Sequence, residues 1–220
     1  MHRVVAAITL KKARTTRKRG AALKAFAKKA GLIYFGSVNH QHDDHDVIRG
    51  LTVSTTHSDK HYAVGSYDGY DVALVDRYDR TKNGTHTTQH NWCIIQITLK
   101  NATSVPHLFF LPTHQTQKYE HLFAGLRHLQ MIDNLVPEPY HHEFTNRYHF
   151  YATAHAAIEV QQWIQPATAQ GIAPRFWPHA VEVNQGKLYV YIQEHRLDQT
   201  VLGSAVESAL WLADQIDGKA

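Results

Sequence analysis

The sequence holds one cysteine, two methionines and seven prolines in 220 residues, and it has no long apolar run. A single thiol, Cys93, cannot make an internal disulfide, so the fold must rest on its core, and a reducing compartment such as the cytoplasm is the simpler expectation. The apolar stretch Val4 to Leu10 is far shorter than the roughly 20 residues of a spanning helix, and no small-residue cleavage site follows it. The expectation is therefore no transmembrane segment and no signal peptide. Missing too are a Gly-x-Gly-x-x-Gly fingerprint, a Walker loop and a Gly-x-Ser-x-Gly elbow. Cys93 lies in an apolar run without the polar neighbours that would make it a nucleophile. With the standard signatures of nucleotide binding and nucleophilic catalysis absent, no catalytic residue is assigned.

What is present begins with charge. The net charge is only +4, but Lys11, Lys12, Arg14, Arg17, Lys18 and Arg19 fall in one short segment. Residues 1–20 read as a basic N-terminal arm able to hold an anionic surface, either lipid headgroups or nucleic-acid phosphates, by charge alone. That would place the protein in the cytoplasm, peripheral to the membrane. The plainer reading of the same run is a solvated helix face. Eighteen histidines, nearly as many as the 19 acidic residues, make the charge sensitive to mild acid.

At 43% hydrophobic, residues 21–220 can bury the core of a single α+β domain. Leu23, Phe26, Ala27 and Ala30 follow helical spacing over residues 21–30, with Gly31 as a stop. A short extended run, Leu32 to Phe35, and a polar loop, 37–46, precede a strand over Val47 to Ser54. An antiparallel β-meander is expected from Tyr62 to Leu111. Its strands are Tyr62 to Gly65, Tyr70 to Tyr78, Thr87 to Leu99 and Pro106 to Pro112, with Asn83-Gly84 as the central hairpin turn. Packing helices surround it, one of them over Gln117 to Ile132 with Leu122, Phe123, Leu126 and Leu129 on one face. Pro137-Glu138-Pro139 marks a turn, and a sub-domain boundary is expected within 133–146. A strand-helix-hairpin-helix half follows: strand Arg147 to Ala152, helix Ala154 to Gln170, hairpin Ala180 to Gln193 about Asn184-Gln185-Gly186, and helix Gln199 to Ile216. In that hairpin Val181, Val183, Leu188, Val190 and Ile192 alternate with polar or tyrosine positions, the pattern of one buried face.

Several histidine groups have metal-ligand chemistry. Asn39 to His45 contains His40-x-His42-x-Asp44-His45, the spacing with which metallo-β-lactamase-fold hydrolases hold two Zn²⁺ ions and generate a hydroxide. A basic helix ahead of it and a strand after it do not match that fold's setting, so a solvated polar loop is the first reading and a zinc-dependent hydrolase the second. His86 and His90 share one strand face, His121 and His128 one helix face, and His141-His142-Glu143 adds a potential ligand group in a loop. Asp68, Asp71 and Asp76 lie near Gly65 and Gly69, glycines that tight turns explain.

The runs Leu23-x-x-Phe-Ala-x-x-Ala-Gly31, Gly65-x-x-x-Gly69-Tyr-x-Val-x-Leu-Val-Asp76, Trp92-x-Ile-Ile-x-Ile, Pro106-x-Leu-Phe-Phe-Leu-Pro112, Phe150-Tyr151 and Gly186-Lys-Leu-Tyr-Val-Tyr191 together resemble a group of uncharacterised bacterial proteins. The resemblance implies a soluble α+β region without assigned activity, which in many relatives follows membrane segments. It supplies turn glycines and core positions, and no site residues. The reading is a non-enzymatic binding or scaffold module with a basic arm and no cofactor. A metal-dependent hydrolase and a nucleic-acid-binding protein are the alternatives.

Overall fold

The sheet is built from turns that the local sequence dictates. Strands β1 (Ile33–Ser37), β2 (Ser58–Tyr67), β3 (Tyr70–Asn83) and β4 (His86–Thr98) pair in succession as an antiparallel meander. The β2–β3 turn is Asp68-Gly69, both at positive φ (51° and 77°), the conformation short polar residues and glycine tolerate best. Asn83, at the end of β3, pairs with His86; Gly84 of the expected turn lies outside the described residues. The computed structural model describes residues 2–37, 58–83, 86–101, 105–116, 128–138, 140–193 and 197–218. The expected polar loop and the strand over Val47 to Ser54 lie outside these residues.

Five further strands, β5 (Leu108–Pro112), β6 (Leu129–Met131), β7 (Tyr148–Thr153), β8 (Ala180–Asn184) and β9 (Lys187–Ile192), complete one nine-stranded sheet in the order β1-β2-β3-β4-β9-β8-β5-β7-β6. Every described pair is antiparallel, and the strands on either side of 133–146 belong to the same sheet. Two strand expectations are corrected here. Pro106 to Pro112 does not continue the meander beside β4, because β9 takes that edge through Cys93 to Thr98 and β5 lies between β8 and β7. Leu129 is not the end of a helix: Leu129–Met131 extends the sheet against Thr153 to Tyr151, and these ladder bonds override the helical spacing. The rest of that expected helix, residues 117–127, lies outside the described residues.

The helices are α1 (His2–Ala30), α2 (His141–Thr145), α3 (Ala157–Trp163), α4 (Pro166–Phe176) and α5 (Gln199–Asp217). The single helix expected over Ala154 to Gln170 is instead two. Pro166 disfavours helical backbone at Gln165, which is extended (φ −72°, ψ 158°), and then starts α4 at a position where its missing N–H costs nothing. Asp198 caps α5 by accepting from the Val201 amide at 2.9 Å. Gly31 ends α1 in the left-handed region at φ 71°.

All five described helices feed one core layer. Leu23, Phe144, Trp163, Ile172 and Leu202 join Leu74, Ile95, Phe110 and Val190 on one face of the sheet. The opposite face has its own buried cluster drawn only from strands, including Val75, Trp92, Ile94, Phe109 and Tyr191. The β8–β9 hairpin is therefore buried on both faces, not one, and its tyrosines and Glu182 occupy the second.

Candidate functional site

The expected basic arm is helical. It is the first two-thirds of α1, and the helix docks on the sheet from Arg19 onward. Arg19 is 4% exposed and grips Asp76 of β3 through Nη2 at 2.6 Å and Nε at 3.1 Å from Oδ1. Burial alone would lower the Arg19 pKa, but the hydrogen bonds and charge of Asp76 outweigh it and hold it above its ordinary value. Arg19, expected among the residues that meet an anionic surface, is thus engaged with Asp76. Arg17 and Lys18, immediately before it, are exposed. Lys11, Lys12 and Arg14 lie in the same helix.

Next to that ion pair the helix comes unusually close to the sheet. A bulge between Lys60 and Ala63 puts His61 at φ 56° and lays its ring on Gly20, where a Cβ would meet ring atoms at 2.3 Å. The ring's Nδ1 bonds the Tyr34 hydroxyl at 2.6 Å. Burial pushes the His61 pKa down, with Lys60 and Arg19 adding to the effect and Asp76 opposing it. The root of α1 is therefore a fixed joint.

The second sheet face carries a hydrogen-bonded chain that sequence reading missed. Glu182, 1% exposed, accepts from the Tyr191 hydroxyl and bonds His107 Nε2 at 2.8 Å; His107 Nδ1 in turn lies 3.0 Å from Nε2 of the exposed His128. Across β2 and β3, Arg77 and Asp59 form a buried two-point pair at 2.7 and 2.6 Å. The signal available in the sequence was Glu182 between two valines in a hairpin whose tyrosines bring hydroxyls to the same face. The chain satisfies a buried carboxylate and holds His107 in one orientation.

Other expected sites resolve individually. His40, His42, Asp44 and His45 lie outside the described residues, as does His121. His90 is 6% exposed and stacks on Trp92, with ring centroids 5.8 Å apart. Asp71 accepts from Ser66, and Asp76 holds Arg19. Burial pushes the Cys93 thiol up to about 12, which suits its packing role and not nucleophilic attack. In the expected His141-His142-Glu143 group, Glu143 sits 4.0 Å from Arg147, and Glu138 takes its place near the two imidazoles. A groove between α1 and α5, lined by Phe26, Lys29, Tyr67, Gly203 and Val206, measures about 90 Å³. Small-molecule pockets usually span about 300–1,000 Å³. No described helix is long and apolar enough to cross a membrane.

No family model and no curated protein matches this chain. Among solved structures, it is similar in fold to the crystal structure of the mycobacterial trehalose monomycolate transport factor A, TtfA, with 13% identity, a TM-score of 0.59, and 90% of this chain and 94% of that chain covered.

Proposed function

We propose that the protein is a non-enzymatic binding module that docks on an anionic lipid surface through the basic N-terminal part of α1. The observation that carries this reading is the change in burial at Arg19. Arg19 is buried against Asp76, whereas Arg17 and Lys18 before it are exposed. The helix is fixed at its root by Arg19, Gly20 and His61, so an extension rich in Lys and Arg is presented from a rigid base. That extension also carries Val4, Val5, Ile8 and Leu10, and bases interleaved with apolar residues suit the headgroup boundary better than a nucleic-acid backbone. Each basic residue near an anionic membrane contributes about 1 kcal/mol.

The similar solved structure is that of a transport factor, and the likeness is one of fold.

The test is co-sedimentation with vesicles of phosphatidylcholine alone and with added phosphatidylglycerol. Binding to the anionic vesicles should fall with salt and drop about fivefold for each of Lys11→Gln, Lys12→Gln, Arg14→Gln, Arg17→Gln and Lys18→Gln. Equal binding to both vesicle types would defeat the proposal. Binding to duplex DNA but to neither vesicle would move the nucleic-acid reading to first place.

A further inference from the structure

We infer that Glu138, His141 and His142 form a binding site for one divalent transition-metal ion of the zinc class. One ligand atom from each residue lies within 4.8 Å of the other two. Two imidazole nitrogens and one carboxylate oxygen are donors that borderline Zn²⁺ accepts, at bond lengths of about 2.0–2.2 Å. Three protein donors leave a tetrahedral position for water or another exchangeable ligand. Around such an ion the donors stand about 3.4 Å apart, so small rotations of the exposed Glu138 and His142 side chains close the set.

The backbone that carries the ligands is already fixed. Phe144, one turn along α2, is fully buried and meets Phe110 edge-to-face with ring centroids 5.9 Å apart. The Phe144 amide donates to the Tyr140 carbonyl at 3.0 Å, and Thr145 Oγ1 donates to the His141 carbonyl at 2.8 Å. On the other side, the Tyr140 amide donates to the Pro137 carbonyl at 3.2 Å and closes the turn that contains Glu138. Ordering entropy that a free loop would lose on closing around an ion is thus largely spent in folding.

A second observation points to a ligand. Nδ1 of His141 is buried and has no hydrogen-bond partner among the described residues. A buried ring nitrogen left unpaired costs free energy, and few native groups are left in that state without a reason. The imidazoles of His141 and His142 stand edge-to-face, 5.4 Å between centroids and 82° apart in plane. Glu143, the carboxylate next in sequence, is turned toward Arg147 and does not compete for the ion.

The inference is independent of the lipid-binding reading, since the vesicle experiment does not involve these residues. The experiment is a Co²⁺ titration of the full chain, untagged, followed by its visible absorption, which is strong for tetrahedral and weak for octahedral coordination. To silence the His-rich loop, the parent protein carries His40→Ala, His42→Ala and His45→Ala. It should take up one saturable equivalent with tetrahedral absorption, and Zn²⁺ should displace it. Glu138→Gln and His142→Ala, both at exposed positions, should weaken that uptake by at least the 10–100-fold (~) that loss of an outer-sphere partner alone produces. Circular dichroism checks that each variant is folded. If the parent shows no saturable equivalent, or if Glu138→Gln and His142→Ala bind Co²⁺ as the parent does, the site does not exist.

Discussion

Arg19 and Asp76, 57 residues apart, form an ion pair with only 5% and 11% of their side chains exposed. Removing one member of such a pair leaves a charge in a poorly solvated place, at a cost of about 3 kcal/mol or more. Asp76→Ala should lower urea-unfolding stability by that amount, and Arg19→Met with Asp76→Leu should recover most of it. Single variants within 1 kcal/mol (~) of the parent would show that the pair is solvated.

The same contact sets where the chain can be shortened. Deleting residues 1–17 leaves the Arg19–Asp76 pair and the Gly20–His61 contact in place. Deleting residues 1–20 should cost more stability, because Asp76 loses its partner and His61 its platform. Equal unfolding midpoints for the two truncations would contradict the joint at Arg19.

Gly20 offers a test with a reversed sign. Glycine to alanine inside a helix ordinarily gains about 1 kcal/mol. Here the new methyl group would meet the His61 ring at 2.3 Å and break its bond to Tyr34. Gly20→Ala should therefore destabilise by about 1–3 kcal/mol, and Gly20→Ala in a His61→Ala background should restore the ordinary gain. A stabilising single variant would remove the close approach.

His179 governs part of the acid response. It is 9% exposed, and burial pushes its pKa down to about 4 from an ordinary 6.5. The folded state then stays neutral where the unfolded chain takes up a proton. The contribution is fully present above pH 6.5, declines as pH falls below it, and is gone below about pH 4. At most about 3 kcal/mol is involved. His179→Gln should flatten the fall in unfolding free energy over that window, while His155→Gln at an exposed position should not. Parallel profiles for His179→Gln and the parent would reject the assignment.

The α+β class was legible because its signals are local. Asp68-Gly69, the Asn83 turn and Gln185-Gly186 each mark a hairpin through backbone chemistry within four residues. The placement of β9 between β4 and β8 was not, because no local pattern records which edge a strand takes. Helical spacing misled at Leu129, where sheet pairing wins. Arg19 was indistinguishable from its five basic neighbours until its partner on β3 was known. Two of the three inferred metal ligands, His141 and His142, were visible as adjacent histidines. The third was misassigned, since sequence adjacency favours Glu143 while the turn at Pro137 brings Glu138 back toward the pair.

The seam between β4 and β9 joins Cys93 to Ile192 and Ile97 to Leu188. On the ribosome, β4 is complete long before its neighbour exists. At about 5–20 residues per second, its free edge waits on the order of 5–20 seconds for β9 to be made. During that interval Cys93-Ile-Ile-Gln-Ile97, uncharged and rich in β-branched residues, presents unpaired amides and carbonyls that any other extended chain can match. The nascent protein is therefore most prone to aggregation in mid-translation. Chains that terminate early, before Lys187, never acquire the hairpin that closes the gap, and their fate should be insolubility and not a smaller folded domain.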